Sequence, residues 1–167
     1  VKFWDWAVKT YGGEGVAEAC LNLQDEDGQN VPLLLWAVWM ACSGREVNAA
    51  LAAESAALAR NWSDELIAPL RHLRRRLKTA VSMDDEALRL PLREKIKAVE
   101  LEAERALMVK LSGLGVVPDF DENQDVKSVS AANLQAVSHA WNGCVPGSGL
   151  SRLSEALSDG RFLRYKG

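Results

Sequence analysis

The run RHLRRRLK places Arg71, Arg74, Arg75, Arg76 and Lys78 within one short segment. Guanidinium groups at this density recognise carboxylates or phosphates, because each planar fork can donate two parallel hydrogen bonds. A helix carrying them would hold an acidic protein surface, a phosphate group or RNA. No aromatic residue is interleaved with the arginines to stack bases, so the pattern favours protein over RNA. The plainer alternative is a solvated helix face, with the cations gathered near a helix C-terminus.

A second cluster is acidic. LQDEDGQN, residues 23–30, brings three carboxylates to a glycine. A calcium-binding EF-hand loop needs acidic ligands at its first, third and fifth positions, glycine at the sixth and glutamate at the twelfth. With Gly28 as the glycine, the first and twelfth positions fall on Leu23 and Leu34, and calcium binding by this route fails. The stretch reads as a polar helix–helix connection, with Gln24 and Asp25 beside a buried aromatic helix. There are two histidines, His72 and His139, and no Cys/His ligand spacing, so no metal site is expected. His139 near Trp141 would be a general base only with a partner that no serine or cysteine motif supplies. The GSG at 147–149 lacks the strand and lysine of a phosphate loop. No catalytic residue and no cofactor is expected. Trp4 and Trp6, two apart on one short helix, cannot share a face, which makes one of them a candidate partner contact.

These groups must be carried by helices. Residues 3–10 and 14–25 form two short ones, and Asn30 caps a third with Pro32 in its first turn. That third helix, about 31–42, is apolar on almost every side and should be central, with Trp36 and Trp39 both packed in the core. Residues 46–60 form an alanine-rich helix. A new helix starts at Ser63 or Asn61, with Leu66, Leu70, Leu73 and Leu77 inward and the arginines on the flanks and outside. Ser82 or Asp84 caps a long helix to Leu111, whose inner face is Leu92, Ile96, Val99, Ala103 and Ala106, with Pro91 kinking it or splitting off its first turn. Residues 116–127 form an acidic loop, 130–141 a helix, 143–149 a turn-rich linker, 150–158 a last helix and 161–167 a frayed tail. The expected architecture is a single all-α domain over 1–167, an irregular multi-helix bundle around the helix at 31–42.

Composition sets further bounds. Of 167 residues, 48% are hydrophobic and 26% charged, a globular balance. A net charge of −3 argues against a dedicated DNA binder. Charge is uneven, with the first thirty residues net acidic and the segment from Arg60 to Lys78 strongly basic. Cys20, Cys42 and Cys144 are an odd, widely spaced set, expected as small core residues in a reducing cytoplasm. No signal-peptide pattern is seen. The longest apolar run, about twelve residues, is short of the roughly twenty that span a bilayer, so no membrane association is expected. The chain opens on Val1, which leaves room for residues upstream.

The N-terminal residues carry a likeness. Phe3-Trp4, Tyr11, Gly15-Val16, Cys20-Leu21-Asn22-Leu23-Gln24, Gly28 and Leu33-Leu34-Leu35 resemble the opening of an uncharacterised bacterial family of short proteins, known only as a domain of unknown function. The resemblance implies a bacterial cytosolic protein and brings no activity or catalytic residue. The functional expectation is a binding or regulatory module with a protein partner. The alternatives are a small-molecule enzyme with a pocket near the aromatic N-terminal helices, and RNA or phosphate binding through the basic helix 66–78.

Overall fold

The computed structural model describes residues 2–79, 86–115 and 125–157. The acidic loop expected at 116–127 falls mostly outside these, as do the capping residues Ser82 and Asp84 and the tail 161–167. Around α3 (Val31–Cys42) the described residues form an all-α bundle: α1 (Phe3–Tyr11), α2 (Val16–Asp25), α4 (Ala49–Trp62), α5 (Ala68–Lys78), α6 (Glu86–Ser112), α7 (Val126–Asn142) and α8 (Gly147–Leu157). No strand forms among them. No helix among them is long and apolar enough to cross a membrane.

Helix α3 starts where expected. The Asn30 side chain accepts from the Leu33 N–H at 3.0 Å, and Pro32 occupies the first turn, where its missing N–H leaves no bond unmade. Every residue from Val31 to Cys42 is buried except Trp39. Trp36 is fully enclosed. Trp39, expected in the core, is half-buried: it stacks on Phe3 at 5.2 Å, and the Arg45 guanidinium lies over its ring at 5.0 Å. Cys20 and Cys42 are buried, which pushes their thiols up to about 12 and leaves them unreactive. Cys144, also expected inside, is exposed.

Helix α7 crosses α3 and α4 and is fastened by Asn133, which is 2% exposed. Its Oδ1 accepts from the Val47 N–H at 2.8 Å, and its Nδ2 donates to the carbonyls of Ala37 at 3.1 Å and Arg45 at 3.0 Å. Since α7 begins at Val126, the last two residues of the expected acidic loop are helical, with Asp125 as the cap. The linker expected at 143–149 is likewise shorter, because 147–149 already form the first turn of α8. Gly149 lets that turn sit on α2: a Cβ there would lie 2.6 Å from Leu23 Cδ2. Gly149→Ala is therefore expected to destabilise the protein by about 1–3 kcal/mol through overpacking, although alanine is the better helix former. A urea titration checks this.

The junction between α4 and α5 decides what the basic helix presents. No new helix starts there. Ser63–Ile67 is a π-helical segment, in which the Ala68 N–H reaches back five residues to the Ser63 carbonyl. Helix α4 buries Ala52, Ser55, Ala56 and Ala59. Continued in steps of three and four, that stripe would turn Leu66, Leu70, Leu73 and Leu77 inward. The π-turn inserts one extra residue and moves the inward positions to Ile67, Arg71 and Arg74. Ile67 is 2% exposed, while Leu66 and Leu73 are 40% and 43% exposed. The expected arrangement of leucines inside and arginines outside is thereby corrected for Leu66, Leu73, Arg71 and Arg74. Leu70 and Leu77 stay half-buried at the edge.

Helix α5 runs antiparallel to α6, since Arg71 meets Glu104, Arg74 meets Glu100, and Arg89 meets the Leu77 carbonyl. Pro91 does not divide α6. Leu92 and Val99, expected inward, are 46% and 51% exposed. Helix α5 buries no residue fully, so the two helices form an arm whose seam is polar.

Candidate functional site

The acidic and basic clusters meet. The α5–α6 seam is centred on Glu100, whose side chain is 7% exposed and accepts from Arg71 Nε at 2.8 Å and from Arg74 Nε. Arg71 Nη2 also donates to Glu104 at 2.7 Å. Burial works to raise the Glu100 pKa, but the hydrogen bonds from Arg74 and Arg71 outweigh it and hold the carboxyl below its ordinary range. At Glu104 burial wins: the carboxyl is raised despite Arg71, with the nearby Glu100 charge adding to the effect. On the other flank Arg75 Nη2 donates to Asp25 Oδ1 at 2.8 Å, and Gln24 Nε2 donates to the same oxygen at 3.3 Å. The half-buried Tyr11 hydroxyl is raised by burial and by the neighbouring acids.

Beside this network a cleft of about 110 Å³ is lined by residues including Gln24, Gln29, Ser63, Arg71, Glu104 and Trp141. Its far wall is the α2–α3 connection, clamped by the end of α7. Trp141 Nε1 donates to the Gly28 carbonyl at 2.8 Å, and Asn142 Nδ2 donates to the Asp27 carbonyl at 3.1 Å. The Arg60 guanidinium covers the Trp141 ring at 5.3 Å and donates to its carbonyl. Asn142 Oδ1 accepts from the Cys144 N–H and from Gln29 Nε2, each at 3.1 Å. The two backbone bonds fix the Asn142 amide, and that fixes Gln29 in turn. Gln29 Oε1 is left enclosed without a donor, which costs about 1–3 kcal/mol.

Of the residues singled out from sequence, the fold gathers Gln24, Asp25, Arg71, Arg74 and Arg75. Arg76 and Lys78 are exposed beyond them. Trp4 and Trp6 lie on α1: Trp6 is buried against Phe3 at 6.3 Å, and half-buried Trp4 sits under the Arg105 guanidinium at 5.5 Å. His139 is exposed and does not line the cleft. No cluster of three or more metal-binding side chains occurs among the described residues. Sequence reasoning missed Glu100, Glu104, Gln29 and Asn142. The available signal was complementary spacing: glutamates four apart on α6 oppose arginines three apart on α5.

Fold and site define an all-α protein with a polar, carboxylate–guanidinium seam and a small cleft beside it. The chain belongs to the family described as Protein of unknown function (DUF2390), whose model matches residues 2–111. The match runs from α1 to the end of α6 and leaves α7 and α8 outside it. No curated protein and no solved structure matches the chain.

Proposed function

We propose that the protein is a bacterial, cytoplasmic binding or regulatory module that docks a protein partner on the α5–α6 arm. The observation that carries this is the apolar edge of the arm: Leu66, Leu73, Leu92 and Val99 are each 40–51% exposed. Scattered surface leucines are ordinary, but these four recur at seven-residue steps on the same side of two paired helices, the pattern of an apolar face that can take a partner. The enzyme reading has less support, because the cleft of about 110 Å³ is well under the roughly 300–1,000 Å³ of small-molecule sites. The RNA or phosphate reading loses three of its cations to Glu100, Glu104 and Asp25, and the arm has no aromatic residue for stacking.

The test is recovery of partners from the native host on the tagged protein and on its Leu73→Asp/Val99→Asp variant. Both positions are exposed, so the variant should keep its melting temperature within a few degrees. Loss of specific recovery with the fold retained is the expected result. Equal recovery on both proteins overturns the reading.

A further inference from the structure

Resting on the arm as the docking surface, we propose that its occupant is an acidic amphipathic helix of a partner protein, seated on Leu66, Leu73, Leu92 and Val99 with its carboxylates on Arg76 and Lys95. The first ground is geometric. Leu73 on α5 and Leu66 in the π-turn before it lie about a quarter turn from Arg74, on the side away from Arg71; on α6, Leu92 and Val99 lie about a quarter turn from Glu100, on the side away from Glu104. The Arg71–Glu104 pair marks one edge of the seam. Because the helices are antiparallel, both apolar sets fall on the opposite edge, where the Arg71–Glu104 and Arg74–Glu100 pairings set Leu73 near the level of Val99, with Leu66 and Leu92 toward the two ends. A third helix is the element that packs along such a strip, by residues at steps of three and four.

The second ground is charge. From Arg71 to Lys97 there are nine Lys/Arg against four Asp/Glu, a net +5; the whole chain is −3, so the remainder carries −8. The arm is thus a basic projection on an acidic protein. Arg76 follows Leu73, and Lys95 follows Leu92, each by three residues and so one turn further along the same edge. Both are exposed, and neither has an ion-pair partner among the described residues. An apolar strip bordered by unengaged cations complements a helix with leucine-type anchors and flanking carboxylates. The arm offers neither an aromatic platform for bases nor a Trp or Phe to anchor in a lipid interface.

A helical peptide display library, randomised at surface and anchor positions, would be panned against the full chain. Enriched peptides should carry Leu, Ile, Met or Phe at i, i+4 and i+7 with Asp or Glu beside them. A synthetic copy of one should bind at least tenfold more weakly to Leu73→Asp/Val99→Asp and to Arg76→Glu/Lys95→Glu, and should weaken steeply between about 50 and 300 mM salt, over which the screening length falls from about 14 Å to about 6 Å. Peptides without acidic bias, peptides binding both variants as well as the native chain, or tighter binding to anionic vesicles or single-stranded RNA would each overturn the proposal. The parent reading fails separately. If host partners are lost with Leu73→Asp/Val99→Asp but kept with Arg76→Glu/Lys95→Glu, the arm docks a protein and the acidic helix is wrong.

Discussion

Asn133→Ala is expected to lower the unfolding free energy by about 3–5 kcal/mol, read as a fall of roughly 10–15 °C in melting temperature for a chain of this size. The side chain is 2% exposed and makes three bonds to the backbone. Alanine would leave the Val47 N–H without an acceptor and the Ala37 and Arg45 carbonyls without a donor. Each orphaned buried group costs about 1–3 kcal/mol, and part is recovered where another donor or water reaches in. Asn133→Asp should be at least as damaging, since it would set a carboxylate against two carbonyl oxygens. A loss below about 1 kcal/mol for Asn133→Ala would show that α7 is held to the α3–α4 turn by apolar contacts alone.

Glu100→Ala is expected to cost about 2–3 kcal/mol. Breaking a fully buried ion pair costs about 3–5 kcal/mol, but Arg71 and Arg74 are 21% and 22% exposed, so water offsets part of the loss. Converting Glu100 and Arg74 together to leucine should restore most of it, because an apolar pair avoids the desolvation that the ions suffer. The two glutamates also act oppositely with pH. Glu100 has a lowered folded pKa, so its contribution is present above the ordinary value of 4.5 and is lost as pH falls through the folded value. Glu104 has a raised folded pKa, so its ionised form opposes folding, and that opposition is relieved as pH falls toward 4.5. Stability in urea should therefore rise slightly from neutral pH toward 5 and fall below about 4.5. Glu104→Gln should remove the first limb and leave the second.

The bundle and its central helix were legible because they rest on local chemistry. Asn30 with Pro32 announces the start of α3, and an apolar run too short for a bilayer announces its burial. Trp39 shows the limit of that reading: a hydrophobic count does not say that Arg45 will cap one tryptophan of two. The arm was misread for a different reason. The leucine stripe at 66, 70, 73 and 77 continues the buried stripe of α4 in sequence, and nothing in residue type reveals the extra residue of a π-turn. Glu100 and Glu104 lie about thirty positions from their partners in the chain, where the spacing within each helix is a signal but the pairing of the two helices is not. Asp25 and Arg75 were each seen, but their pairing is a product of the tertiary fold.

The π-turn at Ser63–Ile67 makes length, rather than side-chain chemistry, the quantity that aims the arm. Inserting a single residue there would change no functional group outside the segment, yet would rotate everything beyond it by about 100° around the helix axis. The arginines would swing off Glu100 and the leucines would take their place. A gene can reach that state by gaining one codon, whereas substitutions would have to exchange several arginines and leucines at once. Within this segment, in-frame insertions are therefore the sensitive class of change. Loss of one residue would let α4 run into α5 as regular α-helix with Arg71 and Arg74 still facing Glu100, and most substitutions at its exposed positions are tolerated.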